Sequence, residues 1–425
     1  MFSITNLAAF LVCTSILRAA DPYSIHVEPG VSGKLPAVEF STTGSLVDVL
    51  TTFSVLTLET SGVLTTRHDL QTSAAQIQLP EVQEDTYIEV AVATGFEFAA
   101  EPFIWRTLAR PEGKPLILYA GRKEMLPPPD FDEYWSRAKK ELAAVPLKPV
   151  VTPVADKDTS TGLLFRVELP SVQDTTIVCW YYVPRAAFPS SGHPGTKKYP
   201  AVIIAPGYGA EEPPIDRTSD GYITCSVNPR NHGPSRAYWK APIEHLIYNI
   251  LDPENYYYKL AFIDCLRAAQ FVFSRDEVDA RRVATEGGSQ GGLFAIATAA
   301  LEPRIACVCA NIPAFCDYPD SVILSLKERS IIRDLLNEAP TTSAQVSKTL
   351  SYVDGVSMIT RLKAPVQINM GDQDPICPYL TGIVLYNRVP KGVPREFHVA
   401  PDCKHAVPLI MRQWNAAWYK HWLKQ

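Results

Sequence analysis

Gly287-Gly288-Ser289-Gln290-Gly291 follows the short run Arg282–Thr285 and opens an apolar stretch, Gly291–Leu301. A Gly-x-Ser-x-Gly match set between a buried strand and a helix predicts a nucleophile elbow, a tight turn that strains the serine backbone and lifts its hydroxyl above the sheet. Such a turn needs small neighbours. Gly287 and Gly291 supply them. The competing reading is a glycine-rich turn whose serine only caps the helix. An acid and a base further along the chain decide between the two.

A serine hydroxyl is a poor nucleophile near neutrality and needs a histidine held in one tautomer by a carboxylate. On this type of fold the chain order is serine, acid, histidine. After Val366–Met370 comes Gly371-Asp372-Gln373-Asp374-Pro375. That loop lies at the carboxyl end of a strand, where α/β sheets gather their ligands, and either Asp372 or Asp374 fits as the acid. The next extended run, Glu396–Ala400, leads into Pro401-Asp402-Cys403-Lys404-His405. One helix and one strand fit between Asp374 and His405. The chain has eight histidines. His26 and His68 fall in the β-rich amino-terminal part, His193 in a Ser/Gly-rich loop, His398 within a strand and His421 on the last helix. His232 competes for the role of base because it follows the run that ends at Val227. Chain order favours His405, which leaves His232 a supporting role.

Outward from the elbow, Ala201–Ala205, Ile223–Val227, Ile305–Ala310 and Val366–Met370 are continuous apolar runs of the kind found in parallel strands buried on both faces. Helical stretches such as Tyr257–Phe273 alternate with them, which predicts an α/β fold with a doubly wound, mostly parallel sheet of the α/β-hydrolase type. Asp130, with Glu133 three residues on, suits a helix start, and Phe131, Tyr134, Trp135, Ala138 and Leu142 recur at helical spacing as a core stripe. Ahead of it Met125-Leu126-Pro127-Pro128-Pro129 makes a stiff joint. Residues 21–122 alternate as strands do, so a small sandwich-like accessory domain is expected there and an esterase domain over 123–425. The apolar run Leu7–Leu17, ending in Arg18-Ala19-Ala20, is too short to span a bilayer. It suits a cleaved signal peptide over residues 1–20 and a secreted or periplasmic enzyme.

Composition narrows the function classes. The formal net charge is −5, and nowhere do Lys and Arg gather into a phosphate-tracking surface, so nucleic acid is excluded as a partner. Nine cysteines include no Cys-x-x-Cys pair, so no zinc framework is expected. Gly207-Tyr208-Gly209 lacks the third glycine of a dinucleotide fingerprint, and no cofactor is expected. A peptidase, a hydrolase of longer acyl esters and a non-catalytic carbohydrate-binding protein stay open at this point.

Gly207-Tyr208-Gly209, the Gly-Gly-Ser-Gln-Gly elbow, Gly371-Asp372-Gln373-Asp374-Pro375-Ile376-Cys377-Pro378 and Asp130-Phe131-Asp132-Glu133-Tyr134-Trp135 carry a more specific signal. Together they resemble, over residues 125–425, the acetylxylan esterase and cephalosporin-C deacetylase family, carbohydrate esterase family seven. The resemblance implies Ser289 as nucleophile, Asp374 rather than Asp372 as acid, and His405 as base. It also implies an oxyanion hole made by the Tyr208 and Gln290 N–H groups, the positions this fold generally uses. The implied reaction is removal of acetyl groups from carbohydrate esters such as acetylated xylan, and members often form homo-oligomers. Three departures stand out. The family's Arg-Gly-Gln appears as Arg230-Asn231-His232, so only the supporting Arg230 matches; Pro206 replaces a common histidine; and the amino-terminal β region is additional. Cys377 and Cys403 flank Asp374 and His405, so loops brought together by an Asp–His contact would carry them close and a disulfide is a candidate. The resemblance argues partly against it, because a cysteine at the Cys377 position also occurs in members that keep it reduced.

Overall fold

The computed structural model describes the strands between residues 23 and 109 together with residues 125–188, 195–318, 321 and 326–423. The expected signal peptide and His193 lie outside the described residues. The chain divides into two compact units, residues 1–123 and 124–425.

In the first unit seven strands are described: β1 (Tyr23–Glu28), β2 (Ala37–Thr42), β3 (Thr51–Glu59), β4 (Gly62–Leu70), β5 (Ala74–Gln78), β6 (Thr86–Thr94) and β7 (Phe103–Ala109). They pair as a three-stranded sheet, β1-β2-β5, and a four-stranded sheet, β4-β3-β6-β7.

The second unit is built on nine strands: β8 (Val150–Pro153), β9 (Gly162–Ser171), β10 (Thr175–Pro184), β11 (Tyr199–Ala205), β12 (Ile223–Asn228), β13 (Val278–Gly288), β14 (Cys307–Asn311), β15 (Val366–Gly371) and β16 (Arg395–Ala400). Their order is β16-β15-β14-β13-β11-β12-β10-β9-β8. Neighbours from β12 to β16 run parallel, whereas β8, β9 and β10 join antiparallel. The antiparallel part follows from local chemistry, since β9 and β10 form a hairpin whose turn holds Gln173 and Asp174 at φ 57° and 50°. The parallel strands need helical crossovers. Helix α1 (Phe131–Ala144) precedes them, and α2 (Tyr257–Phe273) and α3 (Gln290–Leu301) are buried on nearly every side, as their mostly apolar sequences require; the charged Lys259, Asp264 and Arg267 of α2 are buried with them.

Helix α1 buries the expected stripe of Phe131, Tyr134, Trp135, Ala138 and Leu142. The Trp135 indole N–H donates to the Tyr352 carbonyl at 3.1 Å. Arg267 of α2 reaches the last carbonyls of α1, donating to Leu142 O at 2.8 Å and Val145 O at 2.7 Å, and so satisfies acceptors that a helix end leaves open. One expectation fails here. Asp130 makes no capping hydrogen bond, because its carboxylate accepts the Tyr352 hydroxyl at 2.7 Å instead. Among the described residues no helix is long and apolar enough to cross a membrane.

Because β11, β13, β15 and β16 are parallel, the loops that follow them emerge at one edge of the sheet. Those loops carry Tyr208, Ser289, Asp374 and His405.

Candidate active site

Ser289 sits between β13 and α3 with φ 59° and ψ −124°, a conformation that L-residues avoid. The turn closes so tightly that a Cβ on Gly287 would land on the Gly291 backbone, and one on Gly291 would land on the Ala205 carbonyl. The neighbours hold the strain in place. The Ser289 N–H donates to Asn311 O at 2.9 Å, and its carbonyl accepts from Gly292 at 2.9 Å and Ala314 at 3.1 Å. Its side chain does not cap α3, so the plain-turn reading fails.

The Ser289 hydroxyl lies 3.0 Å from His405 Nε2. On the other side of the ring, Nδ1 meets both oxygens of Asp374, at 3.0 and 2.9 Å. Asp374 is fully buried and also accepts the N–H groups of Ile376 (2.8 Å) and Cys377 (2.9 Å). Those bonds aim the carboxylate at the imidazole. Asp372 points elsewhere and accepts the Cys403 N–H at 3.1 Å, stapling the two loops together. Of the two aspartates left open by the sequence, the structure brings Asp374 to His405.

The Asp374–His405 contact joins the two loops that carry Cys377 and Cys403, yet neither cysteine is in a disulfide. The disulfide does not form because each sulfur turns to other partners. Cys403 Sγ lies 3.3 Å from Lys404 O and 3.6 Å from Ala406 O, and Cys377 Sγ lies 3.9 Å from Ser289 Oγ. Asp374, Cys377 and His405 offer ligand atoms within 4.8 Å of one another, near enough to hold a metal ion. Asp374 and the imidazole are already engaged with each other and with Ser289, so this cluster reads first as a proton-transfer line.

Gln290 is the first residue of α3, where an N–H has no acceptor within the helix. The Tyr208 loop runs beside the elbow, since a Cβ on Gly207 would lie 3.8 Å from the Gly288 carbonyl. A profile of the acetyl xylan esterase (AXE1) family matches residues 115–424. The chain belongs to that family. It is 24% identical to acetyl esterase Axe7A of Xylanibacter ruminicola over 314 residues, 70% of this chain and 68% of that protein. The fold is similar to acetyl xylan esterase 1 from Thermoanaerobacterium sp. JW/SL YS485, with a TM-score of 0.62 and 24% identity over 70% of this chain and 94% of that one. An acetyl xylan esterase from Paenibacillus sp. R4 gives the same TM-score at 29% identity, covering 70% and 96%.

In this member of the acetyl xylan esterase family the altered Arg230-Asn231-His232 segment lies behind the elbow. Arg230 and Asp264 form a salt bridge with both side chains fully buried, through Nε at 2.8 Å and Nη2 at 2.9 Å. His232 bonds not to Ser289 but to the Gln290 side-chain nitrogen, 2.8 Å from its Nε2. Burial pushes the His232 imidazole down to about 4, against about 6.5 in an unfolded chain. Between those values the unfolded chain takes up a proton that folded His232 refuses. Stability from this residue is therefore complete above about pH 6.5 and falls as pH drops towards 4. His232→Gln is expected to flatten that acid limb, read from urea midpoints at about pH 7.5 and about pH 4.5; an unchanged pH slope contradicts it.

One residue of this region escaped the sequence reading. His245 lies in an irregular segment before α2, where no periodicity assigns it a face, and it is buried against both Tyr208 and Gln290. Its only signal in the sequence is the neighbouring carboxylate, Glu244.

Proposed function

We propose that this chain is a serine esterase that removes acetyl groups from carbohydrate esters of the acetylated-xylan type. The observation that carries the reading is the unbroken line from Ser289 Oγ through the His405 ring to the buried Asp374 carboxylate. His405 takes the Ser289 proton as Oγ attacks the ester carbonyl, and the carbonyl oxygen gains negative charge facing the Tyr208 and Gln290 N–H groups. The tetrahedral intermediate collapses, His405 returns the proton to the departing sugar oxygen, and acetyl stays on Ser289. Water then attacks the acetyl-enzyme, His405 takes its proton, and acetate leaves with Ser289 restored. Asp374 keeps the imidazole in the tautomer that presents Nε2 to the serine and balances the imidazolium charge. None of these steps calls on a cofactor.

The family supports acetyl as the acyl group, and the segment Asn311-Ile312-Pro313-Ala314-Phe315, which runs from the last residue of β14 into the loop after it, supports a tight acyl side. Its Ala314 N–H is bonded to the Ser289 carbonyl, and Ala314 and Phe315 are buried beside the elbow. A pocket closed around a methyl group gains nothing from extra methylenes, because forcing them in costs about 1–3 kcal/mol. Specificity is expected to fall steeply from acetyl through propionyl and butyryl to octanoyl esters of one alcohol. The check is kcat/KM across that series, which isolates differential transition-state binding. A preference rising towards octanoyl would overturn the deacetylase reading, and acetate release from acetylated xylan tests the alcohol side.

The same reading makes residues 21–122 an accessory β domain and the enzyme an exported one, supported by the Leu7–Leu17 run and Ala19-Ala20 before Asp21. Mass spectrometry of the protein from its host is expected to find a start near Asp21. Mature enzyme that retains Met1 would contradict export.

A further inference from the structure

We propose that His245 is a positioning residue that ties the two halves of the oxyanion hole together. The inference rests on the assignment of the Tyr208 and Gln290 amides to that hole. The two donors come from separate loops, one after β11 and one after β13, so their relative placement needs something that touches both. His245 does. Its ring stacks on the Tyr208 ring with centroids 4.0 Å apart and planes 24° from parallel. Its Nε2 lies 3.3 Å from Gln290 Oε1. The next residue back, Glu244, accepts the Tyr208 hydroxyl.

The hydrogen-bond partners fix the orientation of the amides in the brace. Asn231 Oδ1 accepts the Ala241 N–H at 3.1 Å, so the Asn231 amide nitrogen faces His245 Nδ1, 3.2 Å away, and donates to it. The Glu244 carboxylate also lies 3.5 Å from Nδ1, while His245 Nε2 faces Gln290 Oε1, which also accepts the Tyr258 hydroxyl at 2.8 Å. Gln290 Nε2 in turn donates to His232 Nε2, and His232 Nδ1–H donates to Arg230 O at 3.1 Å. The Gln290 side chain, with no solvent exposure, is thus held from three directions, by His245, Tyr258 and His232.

This brace gives a physical meaning to the departures from Arg-Gly-Gln. Asn231 has φ 66°, a left-handed conformation that glycine takes freely and asparagine tolerates. At that position the side chain orients His245, while His232 supplies the acceptor on the far side of Gln290. Preorganised donors act in the transition state and not in ground-state binding, so loosening them lowers kcat more than it raises KM.

The test uses the full chain with an aryl acetate. His245→Ala is expected to lower kcat by about 10-fold to 100-fold, short of the roughly 10²- to 10³-fold cost of losing an oxyanion donor, with KM changed by less than about twofold. His245→Phe keeps an aromatic ring on Tyr208 but has no N–H for Gln290, and it guards against misfolding of the alanine variant. Its kcat is expected between those of wild type and His245→Ala, and affinity for a small boronic acid, whose serine adduct places an oxygen in the hole, is expected to fall in step. Asn231→Gly is expected to lower kcat in the wild-type background and to add little to His245→Phe, because its amide acts through the ring. An active wild type whose His245 variants keep kcat within about twofold, or lose activity only through KM, overturns the brace alone. A wild type with no Ser289-dependent esterase activity overturns the proposed function, and the brace with it.

Discussion

Replacing Ser289 with alanine is expected to lower kcat/KM on an aryl acetate by about 10⁴- to 10⁶-fold, leaving only what binding and the oxyanion donors contribute. His405→Ala is expected to cost nearly as much. The double variant is expected to be little worse than either single one, because a hydroxyl without its base and a base without its hydroxyl are equally idle. His232→Ala separates this account from its nearest rival. Its ring contacts the Gln290 side chain and not Ser289, so its loss acts only through the placement of one amide and is expected to cost on the order of 10-fold. Steady-state kinetics on the purified variants check all four. Equal losses at positions 232 and 405 would contradict the assignment of the base.

The largest effect on stability is expected at Asp264. Its two oxygens accept from Arg230 Nε and Nη2, from the Arg230 N–H at 2.9 Å and from the Ser171 hydroxyl at 2.6 Å. Arg230 also donates to Val172 O at 3.3 Å, and neither charged side chain reaches solvent. An intact buried pair contributes little net stability because desolvation offsets attraction, but removing one partner strands the other charge. Asp264→Ala is therefore expected to destabilise the protein by about 3–5 kcal/mol. Asp264→Asn keeps the shape and some of the hydrogen bonds, and is expected to be milder. Urea unfolding measures both, and a loss below about 1 kcal/mol for the alanine variant would contradict the account.

Much of this was legible in the sequence because the constraints are local or ordered along the chain. Gly287 and Gly291 are needed by backbone sterics alone, and the runs that became β11, β12 and β15 are apolar because parallel strands bury both faces. Chain order selected His405 over His232. What the residues could not separate was Asp372 from Asp374. Both lie in one loop, and the difference is which backbone N–H groups each meets: those of Ile376 and Cys377 aim one at the histidine, and that of Cys403 ties up the other. Asp130 misled for a similar reason, since a capping signature describes the local chain and Tyr352, far away in sequence, claimed the carboxylate. That the loops of Cys377 and Cys403 meet was foreseeable from an Asp–His pair, but the partners of each sulfur are set by the packing around it. His245 was invisible because its role is made entirely of tertiary contacts.

The central claim is that an acetyl group passes through Ser289, and rapid quenching during turnover of an aryl acetate, followed by peptide mass mapping, tests it most directly. The account predicts an acetyl group on the peptide that carries Ser289, accumulating in the burst phase and absent from the Ser289→Ala variant. Acetylation of another residue in step with turnover, or full turnover by Ser289→Ala, would contradict it.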